Sequence, residues 1–226
     1  MGPYKNMKTC MSAAEPALSW AQGATAQPLI EQSMGAFFDS MVERQPDREA
    51  LVSVHQGLRY TYRGLQQAAR QLASALQGVG VAPSERVVTL AWNTDRHVEL
   101  YYAVAGMGSV LHTVNPRLFP EQISYIVNHA AGETLCFDLD FADLVLKLAP
   151  TLGKVKRYVV LCRREQLPAL DLPGLCAYED LLAQGEENWA WPSFDENTAS
   201  SMCYTSGTTG NPKGVLYSHR STVLHS

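Results

Sequence analysis

Arg86-Val-Val-Thr-Leu-Ala91 and Ser109-Val-Leu-His-Thr-Val114 are two short apolar runs rich in β-branched residues, and the stretch between them carries a helical pattern. Runs of this length and composition read as buried strands. Between them Thr94 is placed to cap a helix through Val98, Tyr102 and Ala105. Beyond the second run, Pro120 suits the first position of a helix and Glu121 its first turn, with Ile123, Ile126, Val127 and Ala130 as the buried stripe. Thr134 to Phe137, a helix from Phe141 to about Leu148, and Tyr158 to Cys162 continue the alternation. Strands that alternate with helices predict an α/β fold, a parallel sheet covered by helices on both faces.

Upstream, Leu65, Ala68, Ala69, Leu72, Leu76 and Val79 fall at helical spacing, with Thr61 as the N-cap and Gly78 or Gly80 at the end. Before that helix, Glu49 to Val54 and Leu58 to Tyr62 flank a turn at Gln56-Gly57 and predict a small hairpin. Residues 1–28 are rich in Ala, Ser, Gln, Gly and Pro without a period and read as a poorly ordered leader. Residues 29–165 form the α/β subdomain on this reading. Residues 166–226 then make a connection, with one helical piece near Tyr178 to Ala183, that crosses to a second sheet and a second, incomplete subdomain.

The composition of the 226 residues, 46% hydrophobic and 18% charged, is that of an ordinary globular protein. A net charge of −4 and a pI near 5.9 argue against a nucleic-acid partner. Lys154, Lys156, Arg157, Arg163 and Arg164 cluster around one apolar run, which fits solvated strand ends or a contact with phosphate or an acidic lipid surface. Five cysteines contain no C-x-x-C pair, and the six histidines show no metal-binding spacing. Reduced thiols in a cytoplasmic protein are expected, with a peripheral membrane contact left open. Glu15 and Pro16 interrupt any signal-peptide core, and the longest apolar stretch, near Tyr101 to Leu111, is too short to span a bilayer.

The chemistry is concentrated in Tyr204-Thr-Ser-Gly-Thr-Thr-Gly-Asn-Pro-Lys-Gly214. Gly207, Gly210 and Gly214 permit positive φ and close approach of the backbone to a ligand. Thr205, Ser206, Thr208 and Thr209 supply hydroxyls for phosphate oxygens or a bridging metal, and Lys213 adds a mobile positive charge. The spacing departs from a Walker A loop, because the lysine precedes glycine and apolar, strand-like sequence follows where that motif needs a helix. A strand–loop–strand hairpin is predicted. Ser221 to Ser226 reads as the first turn of a further helix.

This loop, followed by Val215-Leu-Tyr-Ser-His-Arg-Ser221, resembles the phosphate-loop signature of the AMP-forming, adenylate-forming enzymes. Leu90-Ala-Trp-Asn-Thr-Asp-Arg-His97 and Gly106-Met-Gly-Ser-Val-Leu-His-Thr-Val-Asn-Pro-Arg117 are similar to the medium- and long-chain fatty acyl-CoA synthetases among them. The likeness runs from about residue 35 to the end. It implies that a fatty acid carboxylate attacks the α-phosphate of ATP to give acyl-AMP and pyrophosphate, and that coenzyme A then displaces AMP. It assigns Thr205, Ser206, Gly207, Thr208, Thr209, Gly210 and Lys213 to the ATP phosphates, Thr205 and Lys213 to catalysis, and Thr205 to Mg²⁺.

The same resemblance puts His219 near the acyl pocket, although a histidine capping a helix that begins at Arg220 fits its sequence context as well. It makes Trp92, Asn93, Asn115 and Arg117 mainly packing and loop-fixing residues. Pro83-Ser-Glu-Arg86 stands where the family pattern has Pro-Gly-Asp-Arg, a local change in one turn. Family members run to more than twice this length and carry their adenine, ribose and C-terminal catalytic elements downstream. The expectation is therefore an N-terminal part of a fatty acid–CoA ligase, inactive by itself. Adenylation of another carboxylate, aryl or amino acid, and a non-catalytic nucleotide-binding or homodimerisation module are the alternatives.

Overall fold

A computed structural model describes residues 33–54, 57–205 and 211–226. The leader expected over residues 1–28 lies outside them. The first described element is a helix, α1 (Met34–Arg44), capped by Ser33, whose side chain accepts from the Ala36 amide. It was not anticipated, although Phe38 and Val42 on its buried face are spaced one turn apart. The hairpin follows as antiparallel β1 (Glu49–Ser53) and β2 (Leu58–Thr61), and Thr61 caps α2 (Tyr62–Gly78) as its sequence suggested.

The alternating segment folds as β3 (Arg86–Leu90), α3 (Asp95–Gly106), β4 (Val110–Thr113), α4 (Pro120–Ala130), β5 (Thr134–Phe137), α5 (Ala142–Leu148) and β6 (Arg157–Val160). Thr94 caps α3 through the His97 amide, and Pro120 opens α4. Next come β7 (Leu175–Ala177), α6 (Tyr178–Leu182), β8 (Ala199–Thr205), β9 (Lys213–Ser218) and α7 (His219–His225). Among the described residues the larger sheet has seven strands in the order β7-β6-β5-β3-β4-β8-β9, parallel except for the β8–β9 pair.

That order corrects one expectation. The chain does not cross to a second sheet after residue 166; β8 pairs with β4 through Leu111↔Ser201 and His112↔Met202. The physical reason is the free edge of β4, whose backbone groups need partners inside the core. Met202, 1% exposed, closes the gap against Val110 and Ala130.

Period-two alternation along each strand divides the core into two layers. Val87, Leu111, Cys136 and Val159 face α2, α3 and α6, whereas Val88, Leu90, Leu135, Phe137 and Val160 face α4 and α5. Leu72, Leu76 and Leu100 have no exposed surface, and each contributes about 1.5–3 kcal/mol by burial. The connection before β8 straps the first layer down. Trp191 stacks over Gly35 and Gly106, donates to Asp39 at 3.0 Å and receives the Arg70 guanidinium over its ring. A Cβ at Gly106 would lie 2.5 Å from the indole, so only glycine admits the strap. No described helix is long and apolar enough to cross a membrane.

Candidate active site

The chain leaves β3 for α3 on one face of the sheet and leaves β4 for α4 on the other, which opens a crevice beyond the carboxyl ends of these two strands. Open α/β sheets bind ligands at such a switch point. Here the crevice holds about 640 Å³, walled by residues 91–93 after β3, residues 113–118 at and beyond the end of β4, and the end of β8. Trp92, Asn93, Asn115 and Arg117 all line it.

Its β3 wall is fixed by a set of contacts that sequence reading passed over. The Trp92 amide donates to Asp138 at 2.7 Å and its indole N–H to Asp140 at 2.9 Å, while the ring leans on Phe141. His97 reaches back from the first turn of α3. Its Nδ1 lies 3.0 Å from the Trp92 carbonyl oxygen and its Nε2 3.0 Å from the Thr89 hydroxyl. A carbonyl only accepts, so Nδ1 carries the hydrogen. Burial, set against the Trp92 carbonyl and Asp138, pushes the imidazole pKa down, which leaves Nε2 free to accept from Thr89. Burial likewise raises the Asp138 pKa, against the Trp92 amide. On the β4 side the Asn115 side chain accepts from the Arg117 amide at 3.0 Å and fixes the turn, leaving the Arg117 side chain exposed.

Across the crevice stands the hairpin. Thr205 and Lys213 are opposite one another in the β8–β9 register, the last described pair before the ladder opens. The Thr205 hydroxyl is 3.5 Å from the Lys213 carbonyl oxygen, too long for a strong bond, so among the described residues neither exposed side chain has a strong partner. Ser206, Gly207, Thr208, Thr209 and Gly210 lie outside the described residues. Just before Thr205, the Tyr204 phenol meets His129 Nδ1 at 2.7 Å and its ring packs on His112.

His219 is not brought to this place. It begins α7 at the far end of β9, where Ser218 pairs with Ala199, five residues along the ladder from Lys213. Its Nδ1 accepts from the Met34 amide at 3.1 Å, its ring packs against Phe194, and Ser218 rather than His219 caps the helix. The histidine therefore ties α7 to α1. The crevice, in contrast, is open and partly apolar, with Trp92 39% exposed on its wall.

A model of the family described as AMP-binding enzyme matches residues 38–225. The chain belongs to that family. Among AMP-binding enzymes it is 54% identical over 168 residues to a medium-chain-fatty-acid–CoA ligase of Ectopseudomonas oleovorans, a match covering 74% of this chain and 31% of the relative. It is also 54% identical over 176 residues to a 3-methylmercaptopropionyl-CoA ligase of Ruegeria pomeroyi, covering 77% and 33%. The chain thus spans about a third of the length of the curated relatives it matches. The fold agrees with that of the anthranilate CoA ligase AuaEII in complex with anthranoyl-AMP, with a TM-score of 0.78 at 21% identity over 87% of this chain and 36% of that one.

Proposed function

We propose that this segment forms the N-terminal part of an AMP-forming fatty acid–CoA ligase and supplies its grip on the ATP phosphates. The observation that carries the reading is the pairing of Thr205 with Lys213 at the open end of a hairpin, beside a crevice at the switch point of the sheet. The lysine ammonium offsets charge that moves onto pyrophosphate as the fatty acid carboxylate attacks the α-phosphate. The loop between them, Ser206 to Gly210, adds hydroxyls and backbone amides. Coenzyme A then takes the acyl group and releases AMP.

Mg²⁺ fits the donors present. A cation carried in on phosphate oxygens could take the Thr205 hydroxyl as one protein oxygen, since that hydroxyl has only a long contact among the described residues. That is the habit of Mg²⁺ at nucleotides. The Thr205 hydroxyl is the ligand we assign; bound there, the ion would screen phosphate charge. Four free cysteines among the described residues support a reducing, cytoplasmic setting.

The acid is a fatty acid on this reading. The Ruegeria relative, equally similar, is named for a short thioether acid, which makes that compound the first competitor. The test is a panel of saturated fatty acids, 3-methylmercaptopropionate and benzoate, each given with ATP, Mg²⁺ and coenzyme A to the whole protein that carries this segment. Fatty acid-dependent release of pyrophosphate and acyl-CoA is expected, and preference for an aryl acid would overturn the substrate. The 226 residues alone are expected to make no acyl-CoA, and turnover by them would overturn the assignment of this segment as one part of the site.

A further inference from the structure

The end of β8 is held unevenly. Its ladder with β4 stops at His112↔Met202, so among the described residues Cys203, Tyr204 and Thr205 pair only with β9, the outermost strand of the sheet there. Edge segments held from one side fray readily. Yet Thr205 must keep its place if the loop after it is to hold phosphate. What supports the strand tip from the β4 side is a side chain from elsewhere in the chain.

Tyr204 reaches over the end of β4 to the last turn of α4, where its hydroxyl shares a 2.7 Å hydrogen bond with His129 Nδ1. Three ring contacts fix that geometry. His129 stands edge-on to Tyr204 with centroids 5.8 Å apart, stacks on Tyr125 at 5.5 Å, and His112 packs beneath the Tyr204 ring at 5.2 Å. His112 is fully buried and neither ring nitrogen has a partner among the described residues, so it serves as a platform for the Tyr204 ring. Burial and then Tyr125 raise the Tyr204 phenol, against Arg86, so it stays protonated at ordinary pH.

From this geometry we infer that His129 is a positioning residue for ATP binding: through Tyr204 it sets where β8 ends and hence where Thr205 meets ATP. The inference rests on the ATP-binding reading given above. It separates Tyr204 and His129 from residues that only stabilise the fold, because their loss should act on ATP alone.

The test uses the whole protein with Tyr204→Phe, His129→Leu and His129→Asn, the last placing an amide near the position of Nδ1. Tyr204→Phe and His129→Leu are expected to raise the KM for ATP, and the dissociation constant of MgATP, by about fivefold, the equivalent of one net hydrogen bond. The KM values for fatty acid and coenzyme A and the kcat should hold within about twofold, the precision such comparisons allow. His129→Asn should recover most of the loss, and the double variant should be no worse than either single one, since both remove the same bond. Hydrogen exchange should quicken at Tyr204 and Thr205 but not at Ser201 or Met202. A lowered melting temperature with unchanged ATP parameters, or a rise in all three KM values together, would overturn the inference while leaving the ligase reading intact. MgATP binding that weakens as described in a protein without fatty acid-dependent turnover would uphold the inference and sink the fatty acid. A parent that binds no MgATP would sink both.

Discussion

The two ends of the same strands are built to opposite rules. At the amino ends the charged side chains leading into β3 are tied down. Glu85, buried ahead of β3, accepts from Arg157 at the start of β6, from the Thr134 hydroxyl at the start of β5 and from the Ala82 amide. Arg86 donates to the carbonyls of Ser84, Ala130 and Ala131. At the carboxyl ends Lys213, Arg117 and Thr205 are exposed, and Trp92 shows apolar surface to the crevice. Satisfied groups hold a fold; exposed cations at and beside a crevice suit an anionic ligand. The comparison predicts that substitutions at the amino ends act on stability and those at the carboxyl ends on ATP.

The largest effect should come from Arg157→Met. It leaves the Glu85 carboxylate buried beside Thr134 without its cation, and breaking such a pair from one side costs about 3–5 kcal/mol. Urea denaturation should show that loss, with the dissociation constant of MgATP in the surviving folded protein unchanged. A comparable fall in ATP affinity would erase the contrast between the ends.

Acid tests the amino end next. Burial lowers the His219 pKa from 6.5 to about 4, because its ring is enclosed by Met34 and Phe194. A histidine depressed on folding favours the neutral form in the native state. Its contribution is complete above the unfolded value of 6.5 and is lost as pH falls from there to about 4, amounting to about 3 kcal/mol. His219→Asn keeps an acceptor for the Met34 amide and cannot titrate, so its stability curve should be flatter through that window. His112, likewise lowered to about 4 by burial and then by Arg86, leaves part of the slope in place. An unchanged slope in His219→Asn would show that the ring is solvated.

These positions also show which features the sequence makes legible. Thr134 to Phe137, Thr61, Thr94 and Pro120 emerge as read, because caps, proline and short β-branched runs are local signals. α1 follows a stretch of sequence with no period to lead into it, and β7, three residues long, has no pattern to read. The return of β8 to β4 depends on a pairing of residues 111 and 201, which no local window contains. The site divides in the same way. Thr205 and Lys213 declare themselves by type and spacing, whereas His129 gains its place only by lying against Tyr204, and His97 only by lying against Trp92.

At the carboxyl end Lys213→Ala should leave stability within about 0.5 kcal/mol, as exposed substitutions do. It removes a charged donor, so ATP binding or turnover should fall about ten- to a hundredfold, the equivalent of about 1.5–3 kcal/mol. Isothermal calorimetry beside a melting curve reads both quantities. Equal damage to melting temperature and affinity would make Lys213 a structural residue and weaken the rule for this end.

Thr205→Val is the smallest and most selective change. It keeps the β-branched shape that suits the end of β8 and removes only a hydroxyl whose sole described contact is the long one to the Lys213 carbonyl. Stability should therefore hold or rise slightly, since no buried partner is left unpaired. If the hydroxyl is a ligand of Mg²⁺, its loss should raise the Mg²⁺ concentration for half-maximal turnover by about threefold, one weak neutral ligand among several phosphate oxygens. The KM for the fatty acid should not move, and Thr205→Ser should restore the parent value because it restores the oxygen. A variant whose Mg²⁺ requirement is unchanged but whose ATP affinity falls would reassign Thr205 from the metal to a phosphate oxygen, which keeps the hairpin as the ATP grip and alters only what its hydroxyl touches.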